Sequence, residues 1–135
     1  LKNESRESPV FLNLDNLADP YDYKLNVIRD YKRDLVKIDI IETFNYLLDI
    51  TICNVKRIKT EDNLYSFIFG TLNNKKTAII WRKVKNIDFN KDKLIMEENI
   101  KEYNPEIVYA NGDAVIKNYR QIEMEFIKLM MPKIE

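Results

Sequence analysis

The side chains able to do chemistry in this chain are few, and what is missing narrows the field first. There is no histidine. Ser-His-Asp and Cys-His catalysis, the usual zinc triads and any imidazole proton shuttle are therefore excluded. A single cysteine, Cys53, excludes an intrachain disulfide framework and a Cys-based zinc site. With no histidine to activate it, Cys53 reads as strand packing and not as a nucleophile. The only glycines, Gly70 and Gly112, lie far apart, so no Gly-rich cofactor-binding loop can form.

What remains is charge. The 22 basic and 22 acidic residues cancel to a net charge of +0, which excludes a wholly basic coat protein and a polyacidic tail. The charge is unevenly spread. Residues 51–93 hold 10 Lys/Arg and 4 Asp/Glu, an excess of +6, while residues 1–50 and 94–135 are each at −3. The basic set is Lys56, Arg57, Lys59, Lys75, Lys76, Arg82, Lys83 and Lys85. Such a group can contact nucleic-acid phosphates, adding affinity without reading sequence, and Trp81 and Tyr65 could add stacking. The alternative is that these are solvated strand and turn residues with the aromatics in the core. Asn111-Gly112-Asp113 can line a ligand crevice at the carboxyl end of a strand, or be a plain turn in which Gly supplies a positive φ. Glu123, Glu125 and Glu135 read as surface charges.

These groups must be positioned by a core, and 45% hydrophobic residues are enough for one domain of ordinary size. Residues 1–16 read as a flexible or connector segment and 17–135 as a single α/β domain, a C-terminal fragment of a longer protein. The first 20 residues carry six charged side chains and resemble neither a signal peptide nor an anchor. No apolar run approaches a membrane span. The expected location is cytoplasmic, with no membrane partner.

Alternation in Tyr23 to Arg29 and again in Leu35 to Ile38 predicts a β-hairpin over 23–38. Asp39 is placed to cap a helix, with Ile40, Ile41, Phe44, Leu47 and Leu48 on one face. Ile52 to Lys59, Leu64 to Leu72 and Thr77 to Trp81 read as strands, the last with an apolar run that implies cover on both faces. Asn90 is the expected cap of a helix running to about Tyr103. Ile107 to Tyr109 is a short buried strand, and a last helix spans about Tyr119 to Met131. The fold expected is α/β, a mixed sheet with α-β-β-β-α-β-α core order preceded by a hairpin. A parallel pair is expected where a crossover helix joins 77–81 to 106–109.

This core order is also that of restriction-endonuclease-like nucleases, in which an Asp and an (Asp/Glu)-x-Lys on the second and third strands hold a divalent metal. Here no Asp or Glu occurs between Leu64 and Ile87, so the metal would lack ligands. Asp19-Pro20-Tyr21 faintly resembles the Asp-Pro-Pro-Tyr motif that grips a flipped base in amino-methyltransferases. Its second Pro is missing, and a connector turn is the simpler reading.

Five segments together resemble a known family. Leu17-Ala18-Asp19-Pro20-Tyr21-Asp22-Tyr23-Lys24-Leu25 leads into Ile38-Asp39-Ile40-Ile41-Glu42-Thr43-Phe44-Asn45-Tyr46-Leu47-Leu48. Then come Ile79-Ile80-Trp81-Arg82 and Ile107-Val108-Tyr109-Ala110-Asn111-Gly112-Asp113, and Ile122-Glu123-Met124-Glu125-Phe126 closes the pattern. Across most of 14–130 the chain resembles the C-terminal region of the DNA adenine methyltransferases of type III restriction–modification systems, the Mod subunits. The resemblance implies a parent enzyme that transfers a methyl group from S-adenosylmethionine to adenine N6. Its catalytic and cofactor motifs lie upstream, so no catalytic residue, cofactor or metal is assigned to this chain. One departure is Asp49, where the resemblance leads us to expect a Gly helix cap. The expected role is a non-catalytic accessory domain supporting contact with DNA, with the rest of the methyltransferase chain or with a restriction helicase–nuclease subunit. The alternatives are a degenerate nuclease-like DNA-binding domain and a protein–protein docking module.

Overall fold

The computed structural model describes residues 17–131 and has the expected α/β class. Residues 1–16, read above as a connector, lie outside the described residues, as do 132–135. A short 3-10 turn, Pro20–Asp22, is capped by the Asp19 carboxylate, which accepts from the Tyr21 N–H at 3.2 Å. The Asp-Pro-Tyr triplet is thus a turn. Its Tyr21 hydroxyl lies 2.7 Å from the Leu64 carbonyl oxygen and 3.0 Å from that of Trp81, sharing its one proton between them.

The hairpin follows as β1 (Lys24–Arg29) and β2 (Lys32–Lys37), paired antiparallel in a two-stranded sheet of its own. Asp30 and Tyr31 form its tip, at φ 50° and 67°. Two successive positive φ values give the mirror-image turn whose twist matches that of the flanking strands.

Helix α1 (Ile40–Leu48) begins where expected, with the Asp39 carboxylate accepting from the Glu42 N–H at 3.0 Å. It ends on Asp49, which takes the left-handed conformation at φ 62° and donates its N–H to Asn45 and Tyr46 carbonyls. An Asp therefore holds the backbone position for which the resemblance anticipated Gly. Asp also carries a negative charge at the helix end that already bears partial negative charge. Asp49→Gly should stabilise the fold by about 0.5–1 kcal/mol, read as a raised urea midpoint at unchanged slope. A lowered midpoint would mean that the Asp49 side chain makes a contact worth more than the backbone strain.

The main sheet has five strands in the order β3 (Thr51–Lys59), β4 (Leu64–Leu72), β5 (Lys75–Trp81), β6 (Ile107–Ala110) and β7 (Tyr119–Gln121). The first three form an antiparallel meander, while β5–β6 and β6–β7 are parallel. The expected parallel pair is present, joined by α2 (Phe89–Ile100), and α3 (Ile122–Met130) closes the chain.

Two details differ from the sequence reading. Asp88, not Asn90, caps α2, accepting from the N–H groups of Asn90 at 3.0 Å and Lys91 at 3.4 Å. Tyr119–Gln121 is a strand rather than the first turn of the last helix, so the order after the hairpin is α-β-β-β-α-β-β-α. Only three residues long and partly exposed, β7 has too little alternation to show a period of two.

Strand alternation sorts the core into two layers. Ile68, Ile79, Trp81, Ile107 and Tyr109 face α1 and α3, meeting Ile40, Phe44, Ile122 and Phe126. Tyr65, Phe67, Phe69, Ala78, Ile80, Val108 and Ala110 face α2, meeting Met96 and Ile100. Phe44 is wholly buried, with its ring 4.9 Å from Phe126, 5.7 Å from Tyr109 and 5.8 Å from Trp81. Gly70 sits where β3 crosses closest, since a Cβ there would strike the Thr51 carbonyl oxygen.

Candidate nucleic-acid interface

The eight basic residues do not form one patch. Arg82 leaves the set altogether. It follows the buried end of β5, its side chain has no exposure, and Asp92 on α2 is 1% exposed. Arg82 Nε donates to Asp92 Oδ1 at 3.0 Å, and Nη2 donates to Asp92 Oδ2 at 2.8 Å. Nη2 also donates to the Asp113 carbonyl at 2.7 Å, and Nη1 to the Asn111 carbonyl. Such a two-pronged pair, with the remaining donors satisfied, is how a guanidinium tolerates burial. The expectation that Arg82 reaches phosphate is therefore corrected: its fork is fully used inside the protein.

The aromatics are withdrawn as well. Tyr65 is buried and donates to Asp92 Oδ1 at 2.7 Å. Burial first, then that bond to the carboxylate, pushes its phenol pKa well above the ordinary value. Trp81 is wholly buried against Phe44, and its indole N–H has no hydrogen-bond partner among the described residues.

The Asn111-Gly112-Asp113 turn belongs to this same hub. The Asn111 side chain is buried, accepts from the Arg82 N–H at 3.0 Å and donates to the carbonyls of Leu17 and Arg82, both at 2.7 Å. The Gly112 N–H donates to both Glu123 carboxylate oxygens, and the Tyr119 hydroxyl donates to the Gly112 carbonyl. Glu123, read as a surface charge, is thus half-buried and engaged. Its burial raises its pKa, while the bonds from backbone N–H groups pull the other way.

The other seven basic residues fall in three places. Lys75 and Lys76 are exposed at the amino end of β5, where Lys76 Nζ lies 5.2 Å from the centre of the Tyr103 ring. Lys83 and Lys85 lie past the opposite end of the same strand, on the order of 20 Å away at the usual strand rise. The Asn63 side-chain amide fixes the Lys83 backbone with two bonds of 2.9 Å. Lys83 and Lys85 line a cleft of about 680 Å³, but so do Asp19, Asp22, Glu61 and Asp62. Those carboxylates oppose a phosphate there.

Lys56, Arg57 and Lys59 lie on β3, the edge of the main sheet. Lys56 is turned towards α2, where Nζ donates to Asn99 Oδ1 at 3.3 Å and lies 5.9 Å from the centre of the Phe69 ring. Arg57 and Lys59 are exposed. Arg57 also lines a groove of about 570 Å³ on the α1 side, shared with Lys37 at the foot of the hairpin. Asp39, Glu42 and the buried Asn45 line that groove too, and Asn45 Oδ1 has no hydrogen-bond partner among the described residues. Lys37 was missed from sequence because it lies in a third of the chain whose total charge is negative.

Among the described residues, no group of three or more His, Cys, Asp or Glu side chains is placed to hold a metal ion, and no helix is long and apolar enough to cross a membrane. No protein-family model, curated protein or solved structure matches this chain.

Proposed function

We propose that this chain is a non-catalytic C-terminal accessory domain of a site-specific DNA adenine N6 methyltransferase of a type III-like restriction–modification system, and that it supports contact with duplex DNA. The observation that carries the DNA role is the β3 edge. Over nine residues it bears no acidic side chain and presents Arg57 and Lys59, both exposed, with Lys56 turned to the α2 side. The methyltransferase parentage is supported by the resemblance of residues 17–25, 38–48, 79–82, 107–113 and 122–126. S-adenosylmethionine would serve the parent enzyme upstream. A second reading, docking of a restriction helicase–nuclease subunit, draws on Ile52 and Val55, which are 42% and 47% exposed on the same strand. The DNA reading leads because the charge on that strand is of one sign.

Fluorescence anisotropy with a labelled duplex tests it. Binding should be sequence-tolerant, with a dissociation constant of about 10–100 μM at about 50 mM salt, and should weaken steeply as salt rises. Arg57→Glu with Lys59→Glu should abolish binding at an unchanged melting temperature, because both side chains are solvated. No binding by the unaltered chain at about 50 μM, or full binding by the double variant, would transfer the edge to the docking reading.

A further inference from the structure

We infer that the β1–β2 ribbon is a second DNA-contacting element, continuous with the β3 edge; this rests on the DNA-contact reading above. Four observations lead to it. Residues 24–37 contain five Lys/Arg, namely Lys24, Arg29, Lys32, Arg33 and Lys37, against Asp30 and Asp34, an excess of +3 in fourteen residues. Among the described residues the ribbon pairs only with itself and forms a sheet separate from the five-stranded one. Lys37 at its foot lines the same groove as Arg57, which sets the ribbon beside the basic strand edge, although Asp39 and Glu42 line that groove too.

The fourth observation is Tyr31. It sits at the tip, fully exposed, at a positive φ that a bulky aromatic residue rarely adopts. The favoured second residue of such a turn is Gly, and Asp-Gly is among the commonest pairs. Tyr31 therefore strains the backbone and buries nothing in return. Strain kept without a packing reward marks a residue held for contact with something outside the chain. A twisted two-stranded ribbon is of a width that the major groove of B-DNA admits, and a tyrosine hydroxyl is an ordinary phosphate donor. Lys24 is turned towards Asp22, 3.6 Å away, so Lys32 and Lys37 are the exposed ribbon lysines available for phosphate.

Two variants test the ribbon by anisotropy on duplex DNA. In Tyr31→Gly the turn becomes Asp-Gly, so the melting temperature should hold or rise, while affinity falls about fivefold or more through loss of a hydrogen bond to a charged group. A loss of binding with a gain in stability cannot come from misfolding. In Lys32→Gln with Lys37→Gln, the log–log salt slope should become shallower by about 1.8, roughly 0.9 for each lost phosphate contact. If the unaltered chain binds and both variants bind equally well with the same slope, the ribbon role is wrong while the β3 role stands. If the unaltered chain binds no duplex, the DNA-contact reading itself fails. Tighter binding to a single strand than to the duplex also overturns the ribbon assignment.

Discussion

Arg82→Ala should be among the most destabilising single substitutions in this chain, read as a sharply lowered urea midpoint. Removing one member of a buried, hydrogen-bonded ion pair costs about 3–5 kcal/mol, because the partner charge stays buried without compensation. Here the stranded group is Asp92, 1% exposed, with Tyr65 as its remaining partner. Arg82 also satisfies the carbonyls of Asn111 and Asp113, so its loss leaves further polar atoms dry. Against a total stability of about 5–15 kcal/mol, that is a large share. The control is Arg82→Met with Asp92→Leu. Replacing both charges by apolar side chains of similar size should recover much of the loss, since no buried charge is then left alone. Urea unfolding of the single and double variants measures this. A single variant within about 1 kcal/mol of the unaltered chain would mean that water reaches the pair.

Phe44→Ala should be nearly as damaging. Phenylalanine-to-alanine changes in a core cost about 3–5 kcal/mol. Phe44 is the point where α1, α3, β5 and β6 meet through ring contacts with Phe126, Trp81 and Tyr109. Phe44→Leu keeps most of the volume and loses mainly the edge-to-face geometry, so it should cost less than half as much. A melting temperature for Phe44→Ala unchanged within a few degrees would show that α1 does not seal this layer.

Most of the fold was legible because its periodicities are strong. Tyr65, Phe67 and Phe69 against Ile68 marked β4 as two-sided, and the run Ala78-Ile79-Ile80-Trp81 marked β5 as covered by helices on both faces. Asp39 was legible as a cap because its carboxylate acts locally. What was not legible depends on distance along the chain. Arg82 reads as a solvated charge because its partners, ten and about thirty residues away, are recognisable only once α2 and the β6 end fold against β5. The charge count by thirds hid the ribbon, because acidic residues on either side of 24–37 outweigh its five Lys/Arg. Tyr31 gave no signal, since nothing in its identity announces a positive φ.

The hub around Arg82 also orders events during synthesis and folding. It ties Leu17, Tyr65, Asp92, Asn111 and Asp113 to one guanidinium and its neighbouring amide, and Asn111 reaches back 94 residues to the Leu17 carbonyl. A nascent chain emerges amino end first, so α1 and the β3–β4–β5 meander can assemble early from neighbouring contacts. The ion pair must wait for α2, and its seal must wait for the 111–113 turn. Until then Arg82 stays hydrated at an open sheet end. Long loops closed late are slow to form and are absent from an early transition state. If the hub closes after the rate-limiting step, hub substitutions should act mainly by speeding unfolding, and the hub would be a latch on the lifetime of the finished fold.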